Sequence, residues 1–177
     1  MWKIAFAGCL IIAAAALSLS QDQPKRGPST PDERKRFVAI AHEMEAAPLD
    51  PSLRKDRDWA LHWIIDIPDI NVNPCAELLG KFMESRYRYK AEINGQVAFS
   101  MAAFMIEHPE KAKDIVAVNT AALQGALKAY RSILRVEPTA QSPILEAMAQ
   151  RESEGKLTDH VRELVKNGCD NGDQRGM

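Results

Sequence analysis

The sequence predicts an all-α fold, a single compact domain of about six to eight helices in a helix-hairpin bundle, preceded by a signal peptide. Three observations carry this. Apolar residues recur three and four apart along the long segments, the period of a helix buried on one face. Helix starts are repeatedly written as a polar cap followed by proline, at Thr30-Pro31, Asp50-Pro51, Asn73-Pro74 and Ser142-Pro143. No segment reads as a strand: the best candidate, Ile65 to Val72, alternates but carries Pro68 in its middle, which argues for a corner.

Residues 1–20 have the form of a secretory leader. Met1-Trp2-Lys3 is a short positive start, Ile4 to Leu17 is apolar, and Ser18-Leu19-Ser20 offers a small-x-small cleavage site. A membrane span needs about 20 apolar residues, more than this run supplies. The chain is thus expected to be exported, to a bacterial periplasm or the extracellular space, with no membrane span after cleavage. Cys9 sits within the leader's apolar stretch, and a lipoprotein-type cleavage there would leave Leu10 to Leu17 as an apolar stub. Residues 21–29, QDQPKRGPS, read as a disordered tether, 30–169 as the helical domain and 170–177 as a frayed tail.

The first helix follows from Thr30-Pro31-Asp32-Glu33, a capping box with proline in the first turn. Phe37, Ile40, Ala41 and Met44 then make its apolar stripe, and Pro48 stops it. A second helix runs from Asp50-Pro51 to about Asp66, with Ala60, Trp63, Ile64 and Ile67 on one face. Pro68 ends it. Asn73-Pro74 is read as the start of a third helix, with Cys75 in its first turn and Leu78, Leu79, Phe82 and Met83 inward as far as Tyr89. Asn94-Gly95 is a candidate break, since glycine in a helix interior costs about 1 kcal/mol. Gln96 to Glu107 is the next helix, and Lys111 to Val136 is one long helix or two joined near Asn119-Thr120. Ser142-Pro143 caps a short helix through Met148. Leu157, Val161, Leu164 and Val165 line the last, with Gly168 as its C-terminal stop.

Val97, Met101, Phe104 and Pro109 share their spacing with Ala126, Tyr130, Ile133 and Pro138. The pattern resembles the second helix of a tetratricopeptide repeat. The two copies lie 29 residues apart, however, against about 34 in such repeats, and the upstream Trp, Leu-Gly and Tyr pattern is missing. The echo is therefore read as helix-hairpin packing, and no binding residue is carried over.

Outside the leader the chain holds two cysteines, Cys75 and Cys169, and in an exported protein they are expected to form a disulfide. The formal net charge of −1 becomes about −2 when Lys3 is removed with the leader, which offers no bulk attraction for nucleic acid.

Candidate chemistry is sparse. His42-Glu43 begins like a zinc-protease helix, but Ala46 stands where the second histidine belongs, so neither metal nor cofactor is expected. Asp66 and Asp69 flank Pro68 beside Trp59 and Trp63. That arrangement admits a glycan hydrolase with paired carboxylates and ring-stacking indoles, or more simply a helix end, a turn and core anchors. Arg86-Tyr87-Arg88-Tyr89-Lys90 interleaves aromatics with cations. On a helix these residues spread around the cylinder, whereas in an extended segment the tyrosines face one way and the cations the other. The preferred expectation is a binding or interaction module whose contacts come from Trp59, Trp63, Arg86, Tyr87, Arg88 and Tyr89. Its partner would be an envelope protein or an anionic glycan or lipid. The alternatives are the envelope glycan hydrolase, with Asp66 and Asp69 catalytic, and a periplasmic stress or folding helper.

Overall fold

The structure, a computed structural model, describes residues 26–169. The leader with Cys9, the first part of the tether, the tail after residue 169 and the side chain of Cys169 lie outside the described residues. Among the described residues there are six α-helices and no strand.

Helix α1 (Pro31–Ala46) begins as its sequence dictates. The Thr30 hydroxyl accepts from the Glu33 N–H at 3.2 Å, and the Glu33 carboxylate accepts from the Thr30 N–H at 2.8 Å. One tether expectation is corrected immediately before it. Arg26 pairs with Glu33, and Ser29 donates to Asp69 from its N–H at 2.9 Å and from its hydroxyl at 2.8 Å. Residues 26–29 are therefore bonded to the body.

After a single 3-10 turn, Pro51–Leu53, helix α2 (Arg54–Asp66) carries the indoles and ends where Pro68 requires. The segment expected to be the third helix is different. It holds two short 3-10 turns, Ala76–Leu78 and Gly80–Phe82, and Cys75 precedes the first of them. A local cause interrupts an α-helix there: Gly80 has φ of +38°, outside the helical region. The Cys75 N–H is bonded at 3.0 Å by the Asn119 side chain, which fixes the start of the segment against the helix that carries Asn119. Leu78, Leu79 and Phe82 are nonetheless buried, as their spacing predicts, while Met83, also expected inward, is 39% exposed because the 3-10 turns rotate it away from the α-helical face.

Helix α3 (Lys90–Glu107) runs straight through Asn94-Gly95, so the expected break does not occur. Its neighbours Ile93, Gln96 and Val97 are all buried, and their packing outweighs the modest glycine penalty. Helix α4 (Ile115–Val136) is one helix capped by Asp114, whose carboxylate accepts from the Ala117 N–H at 3.0 Å. Residues from Lys111 to Asp114 are not part of it. Helix α5 (Pro143–Ser153) starts at the expected Ser142 cap and runs beyond Met148. Helix α6 (Leu157–Leu164) passes into a π-helical turn, Val165–Cys169. The left-handed glycine of this region is Gly155 (φ +70°), between α5 and α6, and not Gly168.

Helix α3 is the axis of the molecule. One face, with Phe99, Ala102 and Ala103, meets Phe37, Ile40 and Met44 of α1 and Ala60 and Trp63 of α2. The other, with Ile93, Val97 and Met101, meets Leu123, Ala126, Tyr130 and Ile133 of α4, together with Phe82, Leu145 and Val161. A helix buried on both sides must be apolar nearly all round, as α3 is. The two segments that echo a repeat are thus consecutive helices, α3 and α4, packed on each other along most of their lengths. In a true array another helix would separate them.

Candidate functional site

The tryptophans lie inside the fold. Trp63 is 3% exposed, its ring stacks 4.6 Å from Phe37 and 5.9 Å from Trp59, and its indole N–H finds no partner among the described residues. Trp59 is half-buried, with the Arg36 guanidinium 3.9 Å above its ring. A sugar cannot stack on Trp63, and Arg36 occupies Trp59.

Asp69 is equally engaged. It binds Ser29 twice, and Arg34 Nη2 lies 2.7 Å from its Oδ2. Partial burial pushes its pKa up, but the Ser29 N–H and hydroxyl and the Arg34 bond outweigh this and hold it at about 2. A glycosidase acid needs the opposite, a carboxyl held protonated near neutrality. Beside this turn Leu61, Ile64, Ile65, Ile67, Pro68 and Ile70 border an apolar groove of about 530 Å³, where Leu61 and Ile65 are 47% and 71% exposed.

The second site is a cleft of about 510 Å³ between the turn at Ser85–Arg88 and the segment from Glu137 to Ile144. The Arg86–Lys90 stretch is no helix end. It forms a turn leading into α3, and its side chains divide as an extended segment demands: Tyr89 is buried and Tyr87 half-buried, while Arg86 and Arg88 are exposed. Both tyrosines brace the turn, and Tyr87 also lines the cleft. Tyr87 packs with Phe82, Tyr89 and Tyr130, at ring separations of 5.5, 6.1 and 6.2 Å, and its hydroxyl donates to the Ala140 carbonyl at 3.1 Å. Burial raises the Tyr87 pKa, so the donor stays protonated.

Tyr130 fastens the other wall. Its hydroxyl accepts from the Ser142 N–H at 2.9 Å and donates to Glu146 at 2.6 Å. Burial first, and then the Glu146 bond, lift its pKa to about 12. Two phenols thus hold the segment 140–142, Tyr87 to the turn before α3 and Tyr130 to α4. At the mouth, Arg88 Nη1 lies 3.6 Å from Glu137, and Arg86 has no hydrogen-bond or ion-pair partner among the described residues.

No family model matches the chain, and no curated protein or solved structure matches it either. The chemistry is therefore read from its own residues.

Sequence reasoning missed a polar cluster where α1, α3 and α4 meet. Glu45 is 7% exposed, and its carboxylate accepts from Ser100 at 2.9 Å and from Lys128 at 3.0 Å and lies 3.2 Å from His42. Gln96 donates to Ser100 and to the Ala41 carbonyl, and Ser132 donates to the Glu45 carbonyl at 2.7 Å. The signal was present: Glu45 follows Ala41 by four positions on the apolar face of α1. Among the described residues, no three His, Cys, Asp or Glu side chains are placed to hold a metal ion.

His42 links this cluster to the end of α3, with Glu107 3.1 Å from its Nε2. Desolvation lowers its pKa, but the bonds to Glu107 and Glu45 and their charges outweigh it, so the net shift is upward. A raised histidine contributes stability fully below its unfolded value, near pH 6.5, and loses it as pH rises through the folded value. The advantage of the wild type over His42→Gln should therefore shrink between pH 5.5 and 8.5. Melting temperatures of the two proteins across that range test this, and a constant difference would rule it out.

Proposed function

We propose that the chain is an exported binding module whose ligand site is the cleft between Ser85–Arg88 and Glu137–Ile144. The observation that carries this reading is that the cleft is held in shape: Tyr87 of one wall bonds Ala140 of the other, and Tyr130 ties that second wall to α4 through Ser142. A cavity of about 510 Å³ with apolar residues, fixed walls and a few polar groups is the usual form of a small-ligand site. Export is supported by the charged start, apolar run and small-residue cleavage site of residues 1–20.

The exported state also agrees with a Cys75–Cys169 bridge. The turn Val165–Cys169 packs on the turn Ala76–Leu78, and a Cβ built on Gly168 would lie 2.5 Å from Glu77 Cγ, so the two segments approach closely. Cys75 itself is 8% exposed and directly precedes the turn Ala76–Leu78.

Native mass spectrometry of the protein recovered from the exported fraction tests the proposal. The expected protein mass begins at Gln21, with a bound small molecule in the wild type that is lost in Ala140→Trp, where the indole fills the cleft. A chain retaining residues 1–20, or equal ligand occupancy in the two proteins, would reject it.

A further inference from the structure

Resting on the reading of the cleft as a ligand site, we infer that it takes a molecule bearing an oxyanion, a carboxylate or a phosphate, attached to a ring or acyl body. The charge balance at its mouth is one-sided. Arg86 and Arg88 both line the cleft, against the single carboxylate of Glu137. Arg34, Arg36 and Arg131 elsewhere each close on a carboxylate at 2.7 to 3.1 Å, whereas Arg88 stands 3.6 Å from Glu137 with its side chain 72% exposed. Arg86 meets no carboxylate among the described residues. A guanidinium presents a planar fork of N–H donors that suits a carboxylate or phosphate and remains charged at any working pH.

The opposite wall adds to this potential. Helix α5 begins there with Ser142, Pro143 and Ile144, and the positive end of its dipole, partly offset by Glu146 in the first turn, faces this wall. The Leu145 N–H is taken by the Ser142 hydroxyl and the Glu146 N–H by the Ser142 carbonyl, while the Ile144 N–H has no acceptor among the described residues. Beyond the two arginines and Glu137 no charged side chain among the described residues lines the cleft, and Tyr87, Ala140, Pro143 and Ile144 give it apolar surface that suits carbon and not a second charge. The cleft therefore asks for a charge at the rim and an apolar or ring face beneath it.

The test uses the protein lacking residues 1–20 and reads amide chemical shifts of residues 137–146 by NMR. The probes are glucuronate against glucose, inorganic phosphate, and phosphatidylglycerol vesicles against phosphatidylcholine vesicles. Glucuronate or phosphate should give saturable shifts at Ala140 and Ile144. The double variant R86A/R88A should weaken them at least about tenfold, with an unchanged melting temperature because both side chains are exposed. Raising the salt should weaken binding too, since the cations are not screened from solvent. Binding of phosphatidylglycerol vesicles in place of the free anions would support the same chemistry and make a lipid headgroup its source. Binding of glucose or of neutral vesicles, undiminished in R86A/R88A, would overturn the oxyanion while leaving the cleft as a site. Absence of any shift from all five probes would overturn the oxyanion as well. The cleft reading would fall with it only if Ala140→Trp also left native ligand occupancy unchanged.

Discussion

Gly125→Ala is expected to lower the stability of the protein by about 3 kcal/mol. A Cβ at this position would lie 1.8 Å from Ser100 Oγ, 2.4 Å from Ser100 Cβ and 2.6 Å from Glu45 Oε1. Rotation of Ser100 can move its hydroxyl, but its Cβ is fixed to α3, so α3 and α4 would have to separate. Any such movement also strips Glu45 of the Ser100 bond at 2.9 Å and strains the Lys128 bond at 3.0 Å. A buried carboxylate that loses partners is costly, and so is a forced core. The matched control is Gly95→Ala, also inside a helix, where a Cβ would meet nothing within 4 Å. That change should stabilise by about 0.5 to 1 kcal/mol through helix propensity and a less free unfolded chain. Urea titrations followed by circular dichroism should move the two midpoints in opposite directions. A Gly125→Ala protein as stable as the wild type would refute the close approach.

The second large effect is expected from the proposed bridge between Cys75 and Cys169. The loop it would close spans about 95 residues, for which chain entropy suggests up to about 4 to 5 kcal/mol, less any strain in the folded state. Cys169→Ser, or reduction of the wild type, should therefore cost about 2 to 4 kcal/mol. The loss should appear first as release of the Val165–Cys169 turn from Ala76–Leu78, before the α3–α4 pair loosens. Hydrogen exchange resolves that order, because the two regions protect different amides. A thiol assay on the unreduced protein lacking residues 1–20 gives the plainest check: no reactive thiol is expected, and two would end the proposal.

How far the fold was legible in the sequence varies with the reach of the forces involved. Helix starts are local, and Thr30, Asp50 and Ser142 each cap the turn they were expected to cap. The stripe at Phe37, Ile40, Ala41 and Met44 was also legible, since periodicity reports burial directly. The failures cluster between Pro74 and Tyr89, where the same apolar spacing suits an α-helix or two 3-10 turns. There the left-handed Gly80 breaks the α-helical path, and a bond from Asn119, far along the chain, anchors Cys75 at its start. At Gly95 a local signal was overridden by burial on either side of α3.

The candidate site was legible only in part. Arg86 and Arg88 were singled out, and their cleft includes them, yet the opposing wall of Thr139 to Ile144 carries no motif. Tyr87 lines the cleft and also packs on Phe82 and Tyr130, partners that are distant in sequence or hidden within an apolar run. The stacking of Trp63 on Phe37 is equally hidden in the sequence, since the two lie on different helices.

Glu45 and Gly125 together settle a question that apolar packing leaves open. Where α4 faces its neighbours it buries Ala122, Ala126 and Ala129 beside Leu123, Tyr130 and Ile133, and apolar volume alone specifies the offset of such a helix only loosely. Sliding α4 by one turn, about 5.4 Å, would bring Ala121 or Ala129 into the space that excludes even a methyl group and would carry Lys128 away from Glu45. A steric notch and a charge match thus select the same offset. The bundle has a single register for reasons separate from how much oil it buries.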